Sequence, residues 1–299
     1  MPTSAPATPI QTPDGRRLDL YTAGPADGEV LLFHSGTPAA PLPFDPIIEL
    51  FAARGLRYVA FARAGYGSST RRAGRSVADV VDDVLTVLDH VDADRVYVAG
   101  ASGGGPHALA CAALLPDRVR ATATLASVTP YGDTGLPHDA FLADMGAENI
   151  EEFNAAVTGA DALIGFLERD WPILRNVTGD EVAAALGDLV DDVDRNALTG
   201  DVAEWTAAGG REALREGFWG WFDDDMAFVR PWGFDLTTIE GPVHVWQGRH
   251  DRMVPFAHGE WLAGHIPTAI PHLSETDGHL TLALTSMDRI LDGLIASGR

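Results

Sequence analysis

Five short runs are apolar at nearly every position: residues 30–33 (VLLF), 57–61 (RYVAF), 96–98 (VYV), 121–126 (ATATLA) and 242–246 (PVHVW). A strand with one face in water alternates apolar and polar residues; these do not, so they read as strands buried on both faces. Stretches with helical period separate them. Residues 76–90 carry apolar side chains at Val77, Val80, Val81, Val84, Leu85 and Leu88, a 3.6-residue rhythm, with Ser76 and Asp79 placed as a capping-box-like start. Buried strands alternating with amphipathic helices predict an α/β fold, with a mostly parallel sheet covered on both faces.

The remaining segments extend that pattern. Residues 10–21 contain Pro13-Asp14-Gly15 between alternating runs and read as an antiparallel hairpin. Residues 1–9, rich in Pro, Ser, Thr and Ala, read as loose. Helices are expected over 46–54 and 257–265, a last strand over 269–273 and a final helix over 281–296. Between 131 and 236 the pattern turns helical and irregular, with candidate helices at 150–158, 160–170, 180–190 and 201–208. The expected organisation is an eight-stranded α/β core over 1–130 and 237–299, interrupted after its sixth strand by a helical insert over 131–236.

The chemistry concentrates at Gly100-Ala101-Ser102-Gly103-Gly104, which is G-x-S-x-G between an expected strand and an expected helix. A serine on so sharp a turn is held in a strained backbone conformation, with its hydroxyl thrust outward. Glycines on either side let the chain pass close to itself, and the helix start behind the serine offers N–H groups to developing negative charge. A phosphate loop would need Gly-Lys-Ser/Thr, and the chain has no lysine. A dinucleotide loop would need G-x-G-x-x-G spacing, which residues 100–105 do not supply cleanly.

A serine hydroxyl needs a base, and the base needs an orienting acid. In α/β folds catalytic groups sit on loops after the carboxyl ends of strands. Of ten histidines, His279 follows the last expected strand and is the candidate base, with His34 as competitor. Asp251 ends the loop after PVHVW and is the candidate acid, with Glu275 and Asp133 as weaker alternatives. The order Ser102, Asp251, His279 is the one that accompanies G-x-S-x-G. Donors for an oxyanion are expected from the Gly103 N–H and from the loop at 34–38.

With these residues in view the chain resembles the α/β-hydrolase superfamily, in a serine-nucleophile, cap-bearing branch near esterases, proline iminopeptidases and haloperoxidase-like proteins. His34-Ser35-Gly36-Thr37-Pro38 resembles the superfamily's H-G-x-P loop, which implies Thr37 N–H as second oxyanion donor. Residues 63–69 (RAGYGSS) resemble its R-P-G-Y-G-x-S segment, and residues 248–255 its G-x-x-D-x-x-V-P acid loop. The resemblance makes the insert a helical cap that closes over the active site. It implies a serine hydrolase acting on a small ester or related acid derivative, of carboxylic-ester-hydrolase type, with no metal or cofactor. C–C hydrolysis, a lyase step, perhydrolase chemistry and silent ligand binding stand as alternatives. Ser102 argues against dehalogenases and epoxide hydrolases, which carry aspartate at the elbow.

His34, Gly36, Trp205 and Trp221 are candidates for contacting substrate. Acidic cap residues that hold a substrate amine occur in aminopeptidase-type members; Glu204 beside Trp205, and Asp223, Asp224 and Asp225 beside Trp221, offer that reading or simply a solvated face. Composition narrows the partners. A formal net charge of −22 argues against nucleic acid, which demands a basic stripe. No apolar run reaches membrane-spanning length, and the N-terminal residues lack the pattern of a signal peptide. The single cysteine, Cys111, permits no internal disulfide. A cytoplasmic monomer or homodimer taking a small-molecule substrate is the expectation.

Overall fold

The computed structural model describes residues 7–298. Eight strands form one sheet in the order β1-β2-β4-β3-β5-β6-β7-β8. β1 (Thr8–Gln11) and β2 (Arg17–Ala23) form the expected hairpin, and β2 runs antiparallel to β4 (Leu56–Phe61). From β4 onward every pairing is parallel: β3 (Glu29–His34), β5 (Val96–Ala101), β6 (Val119–Leu125), β7 (Val243–Gly248) and β8 (Ala269–Ser274). Of the expected loose segment, residues 1–6 lie outside the described residues; Thr8 and Pro9 belong to β1, where pairing with Leu20 and Asp19 orders them.

The alternating direction of strand side chains divides the core in two. Leu32, Val59 and Val98 point into one apolar cluster, and Leu31, Tyr58, Ala60 and Tyr97 into the other. The first is covered by α2 (Val80–His90), α3 (Gly105–Leu114) and α11 (Phe256–His265), the second by α1 (Asp45–Ala52) and α12 (His279–Ser297). Leu31, Leu32, Val59, Ala60 and Val98 are all 0% exposed, as uninterrupted apolar runs require. β8 is the exception; it carries Pro271 and largely exposed side chains, as an edge strand can.

α2 begins at Val80, not at Ser76. The Ser76 N–H and Oγ both donate to Asp79 Oδ2, at 2.7 and 2.8 Å, as a capping-box-like start would have it, but the N–H groups of Asp79, Val80 and Val81 bond carbonyls three residues back, so a tight turn precedes the regular helix. Between β6 and β7 lie only helices and turns: α4 (His138–Leu142), α5 (Ala147–Thr158), α6 (Ala160–Leu174), α7 (Gly179–Ala185), α8 (Asp192–Ala197), α9 (Gly200–Ala213) and α10 (Trp219–Phe228). Four match expected helices. The expected 180–190 helix stops at Ala185, where Gly187 takes a left-handed φ of 52°.

The segment is not a detachable lobe. Phe141, Phe153, Phe228 and Trp232 join the first sheet cluster, and Phe166, Leu167 and Trp221 the second. A small cluster of its own gathers Val177, Val182, Val190, Leu198, Ala203 and Ala207.

Candidate active site

Ser102 sits where β5 gives way to a single 3-10 turn, Ser102–Gly104, that leads into α3. Its φ is +53°, the left-handed region that an L residue with a side chain rarely enters. The turn is tight enough that a Cβ on Gly100 would lie 2.6 Å from the Gly104 carbonyl carbon. The strained serine and its glycines are thus where the motif places them.

His279 opens α12, directly after the β8 loop. Its Nδ1–H donates to Asp251 Oδ2 at 2.8 Å, so Nε2 carries the free lone pair. Asp251 is 3% exposed and is itself held: Gln247 Nε2, Met253 N–H and Val254 N–H donate to its oxygens at 3.0, 2.9 and 2.8 Å. Burial pulls the His279 pKa down, but the Asp251 charge and hydrogen bond, with Asp194 beyond, outweigh it and leave it above the ordinary imidazole value. Ser102 and His279 face the same cavity of about 280 Å³, and among the described residues no side-chain hydrogen bond occupies the serine hydroxyl. Nucleophile–base contacts are often loose before substrate binds. The imidazole is oriented by a buried carboxylate and lines the same cavity as the strained serine.

Gly103 and Thr37 meet beside the serine. A Cβ on Gly103 would lie 2.8 Å from Thr37 Cβ and 3.0 Å from Phe228 Cζ, so no larger residue fits. The Thr37 hydroxyl donates to Asp224 Oδ2 at 2.7 Å. Arg63 clamps the loop from behind, donating to Ser35 O at 2.5 Å, Gly36 O at 3.1 Å and Thr37 Oγ1 at 3.0 Å. Asp224, fully buried on α10, binds Arg63 at 2.5 Å and Arg75 at 2.6 Å and accepts from Tyr66 Oη at 2.8 Å. Burial opposes its ionisation, but the two guanidiniums hold its carboxyl far below the usual range. The 63–69 segment therefore supplies Arg63 and Tyr66 as struts under the Thr37 loop.

Other sequence expectations resolve differently. Gly36 packs against Ser102; Trp205 lines the 280 Å³ cavity, fixed by its Nε1–H on Leu42 O at 2.9 Å and by stacking on Phe44. Trp221 lines a second, smaller lobe that also reaches Ser102. His34 contacts neither lobe: it is 1% exposed and lies against Cys111, with burial and the Arg63 charge pushing its pKa down to about 3. It is a buried structural residue because β3 carries it beneath the elbow. Of the acidic residues considered for substrate contact, Glu204 pairs with Arg211, Asp223 with Arg71 and Asp224 with Arg63 and Arg75. Only Asp225 lacks a cation of its own.

Sequence reading missed Asp194. This residue of α8 is 0% exposed and accepts from the N–H groups of His279, Leu280 and Thr281 at 2.6, 3.1 and 2.9 Å and from Thr281 Oγ1 at 2.8 Å. It caps α12 from outside the helix, and Gly278 is required there because a Cβ would lie 2.6 Å from the Asp194 carboxyl carbon. Nothing in the run Asp191-Asp192-Val193-Asp194 marks one aspartate as buried.

Comparison with known proteins agrees with this architecture. The profile of the alpha/beta hydrolase fold family matches residues 29–160. The chain is 27% identical over 258 residues to a bifunctional esterase/perhydrolase of Acinetobacter calcoaceticus, covering 83% of each chain. It is 29% identical over 268 residues to a 2-hydroxy-6-oxononadienedioate/2-hydroxy-6-oxononatrienedioate hydrolase of Cupriavidus pinatubonensis, covering 88% of this chain and 84% of the relative. A solved hydrolase structure from Pseudomonas aeruginosa superposes with a TM-score of 0.67 at 20% identity, covering 97% of both chains.

Proposed function

We propose that this chain, whose fold is that of the α/β-hydrolases and whose relatives include esterases and other hydrolases, is a serine hydrolase cleaving a small ester or related carboxylic-acid derivative. Residues 131–236 act as its helical cap over a core formed by 1–130 and 237–299. Ser102 Oγ attacks the substrate carbonyl while His279 Nε2 takes the hydroxyl proton. Asp251 fixes the imidazole tautomer and stabilises the imidazolium. The N–H groups of Gly103 and Thr37 bind the oxyanion. His279 returns the proton to the leaving alcohol or amine, and an acyl-enzyme remains. Water, deprotonated by the same imidazole, then attacks the acyl-enzyme, releasing the acid and regenerating Ser102. The chain's own residues suffice for each step, without metal or organic cofactor.

The observation that carries this reading is the 2.8 Å hydrogen bond from His279 to a buried Asp251, in a histidine that faces the same cavity as a serine with φ +53°. Among the described residues no helix is long and apolar enough to cross a membrane.

A fluorophosphonate probe, followed by peptide mass mapping, tests it. One adduct on Ser102 in the wild type, lost in Ser102→Ala and His279→Ala, is expected. A folded wild-type protein that takes no adduct would overturn the assignment and favour a silent binding protein. Because the relatives include a perhydrolase and a 2-hydroxy-6-oxononadienedioate hydrolase, product analysis on esters, diketones and peracid-forming mixtures separates ester hydrolysis from those reactions.

A further inference from the structure

The cavity at Ser102 has two lobes of different character. The 280 Å³ lobe is walled mainly by apolar residues such as Leu42, Phe44, Ile48 and Met287. The other, about 100 Å³, runs from Ser102 past Phe153 and Phe228 to three carboxyl groups, Glu148, Glu152 and Asp225.

These carboxyls are unusual in what surrounds them. Glu148 and Glu152 lie one turn apart on α5, and Asp225 faces them from α10. Glu152 is 8% exposed and Asp225 1%. Trp221 Nε1–H donates to Glu152 Oε1 at 2.5 Å. No N–H or hydroxyl donor among the described residues reaches Asp225 Oδ2. Glu152 and Asp225 instead meet carboxyl to carboxyl, and burial together with the Glu152 charge holds the Asp225 carboxyl well above its ordinary value.

The nearest arginines are committed elsewhere: Arg75 to Asp224 at 2.6 Å, and Arg169 to Glu151 and Asp170 at 2.5 and 2.7 Å. The remaining charged neighbours, Asp170, Asp188 and Asp224, are acidic. Burial and this like charge push all three carboxyls up, Glu148 to about 7.

A buried charge without a counter-charge, and a buried acceptor without a donor, are each costly. A protonated amine supplies both missing parts, and aromatic walls accommodate its alkyl groups. We infer that the smaller lobe is a subsite for a protonated amine carried by the substrate a few bonds from the carbonyl that Ser102 attacks, with Glu152, Asp225 and Glu148 as its ligands. This rests on the serine-hydrolase reading and narrows its substrate class. The lobe, about 100 Å³, has room for an ammonium bearing one or two methyl groups.

Two p-nitrophenyl esters of equal shape test it at pH 7: 3-(dimethylamino)propanoate, which is cationic, and 4-methylpentanoate, which is neutral. After correction for their hydroxide-catalysed rates, kcat/KM is expected to favour the cationic ester at least tenfold. In Glu152→Gln and Asp225→Asn that ratio should collapse toward one, mainly through a higher KM for the cationic ester. A wild-type ratio near one overturns the subsite, as does a variant that slows both esters equally and keeps the ratio, the mark of a purely structural role. Should Asp225→Asn not fold, Glu148→Gln, at a half-buried position, reads the same ratio.

Fluorophosphonate labelling in the same samples separates the two readings. Without labelling or turnover of either ester, the hydrolase reading falls. Calorimetry of Ser102→Ala with the two corresponding methyl esters then reads the subsite alone, and equal binding overturns it.

Discussion

The Asp194 carboxylate accepts the His279 backbone N–H at 2.6 Å and spreads its other contacts over the next two residues of α12. The candidate base is therefore seated by the helical segment between β6 and β7 as well as by the core. Asp194→Ala leaves three helix N-terminal donors unsatisfied, and loss of a cap costs about 1–2 kcal/mol. Thermal unfolding should fall accordingly, and turnover by about 10- to 100-fold as His279 loses its seat. Asp194→Asn keeps an acceptor but removes a charge that raises the His279 pKa. The acid limb of kcat/KM, which reports a neutral His279, should move to lower pH. A limb that stays in place would show that Asp194 does not act on the imidazole.

Gly103→Ala inserts a methyl group 2.8 Å from Thr37 Cβ. Only the Thr37 loop or the elbow can give way, and both candidate oxyanion donors lie there. We expect kcat to fall by about 10²–10³-fold, the usual cost of losing one such donor, with little change in far-UV circular dichroism. Wild-type kcat would remove Gly103 and Thr37 from the oxyanion site.

Asp224→Asn leaves Arg63 and Arg75 buried without their carboxylate. Breaking a buried pair from one side costs about 3–5 kcal/mol, measurable as a lower urea midpoint. The pH dependence follows from the depressed carboxyl. Asp224 stabilises the fold above the unfolded aspartate value, about 3.9, and this contribution is lost as pH falls toward its much lower folded value. Stability should decline below about pH 4 in the wild type and less steeply in Asp224→Asn. Equal slopes would contradict the assignment.

Glu148, Glu152 and Asp225 predict the opposite slope. Their folded values are raised, Glu148 to about 7, so the folded state holds more protons than the unfolded between about pH 4 and 7 and loses stability as pH rises through that window. Glu152→Gln should flatten the fall and be relatively more stable at pH 8 than at pH 5. Denaturant unfolding at the two pH values decides it; a larger fall in the variant would be the wrong sign.

The strands and the elbow were legible because their signals are local. Uninterrupted apolar runs mark strands buried on both faces, and the G-x-S-x-G spacing encodes a turn that glycine alone can close. Asp251 and His279 were legible because each follows a strand, and in a parallel sheet those loops share one edge. Helix boundaries were less so: α2 begins four residues late because residues 76–81 close a tight turn through bonds to carbonyls three residues back, and α10 hides its polarity in three buried aspartates.

What the sequence by itself determined is the sheet, the order of its elements and the three residues gathered at its carboxyl edge, since periodicity and spacing are written along the chain. The tertiary structure decided which of many carboxylates are buried and what each one faces. Asp223, Asp224 and Asp225 are neighbours in sequence, yet one meets Arg71, one holds the Thr37 loop through Arg63, and one confronts Glu152 without an ion-pair partner of its own. Asp194 caps a helix more than eighty residues downstream. Charge in a buried site takes its meaning from its partners, and partners distant in sequence are brought together only by the fold.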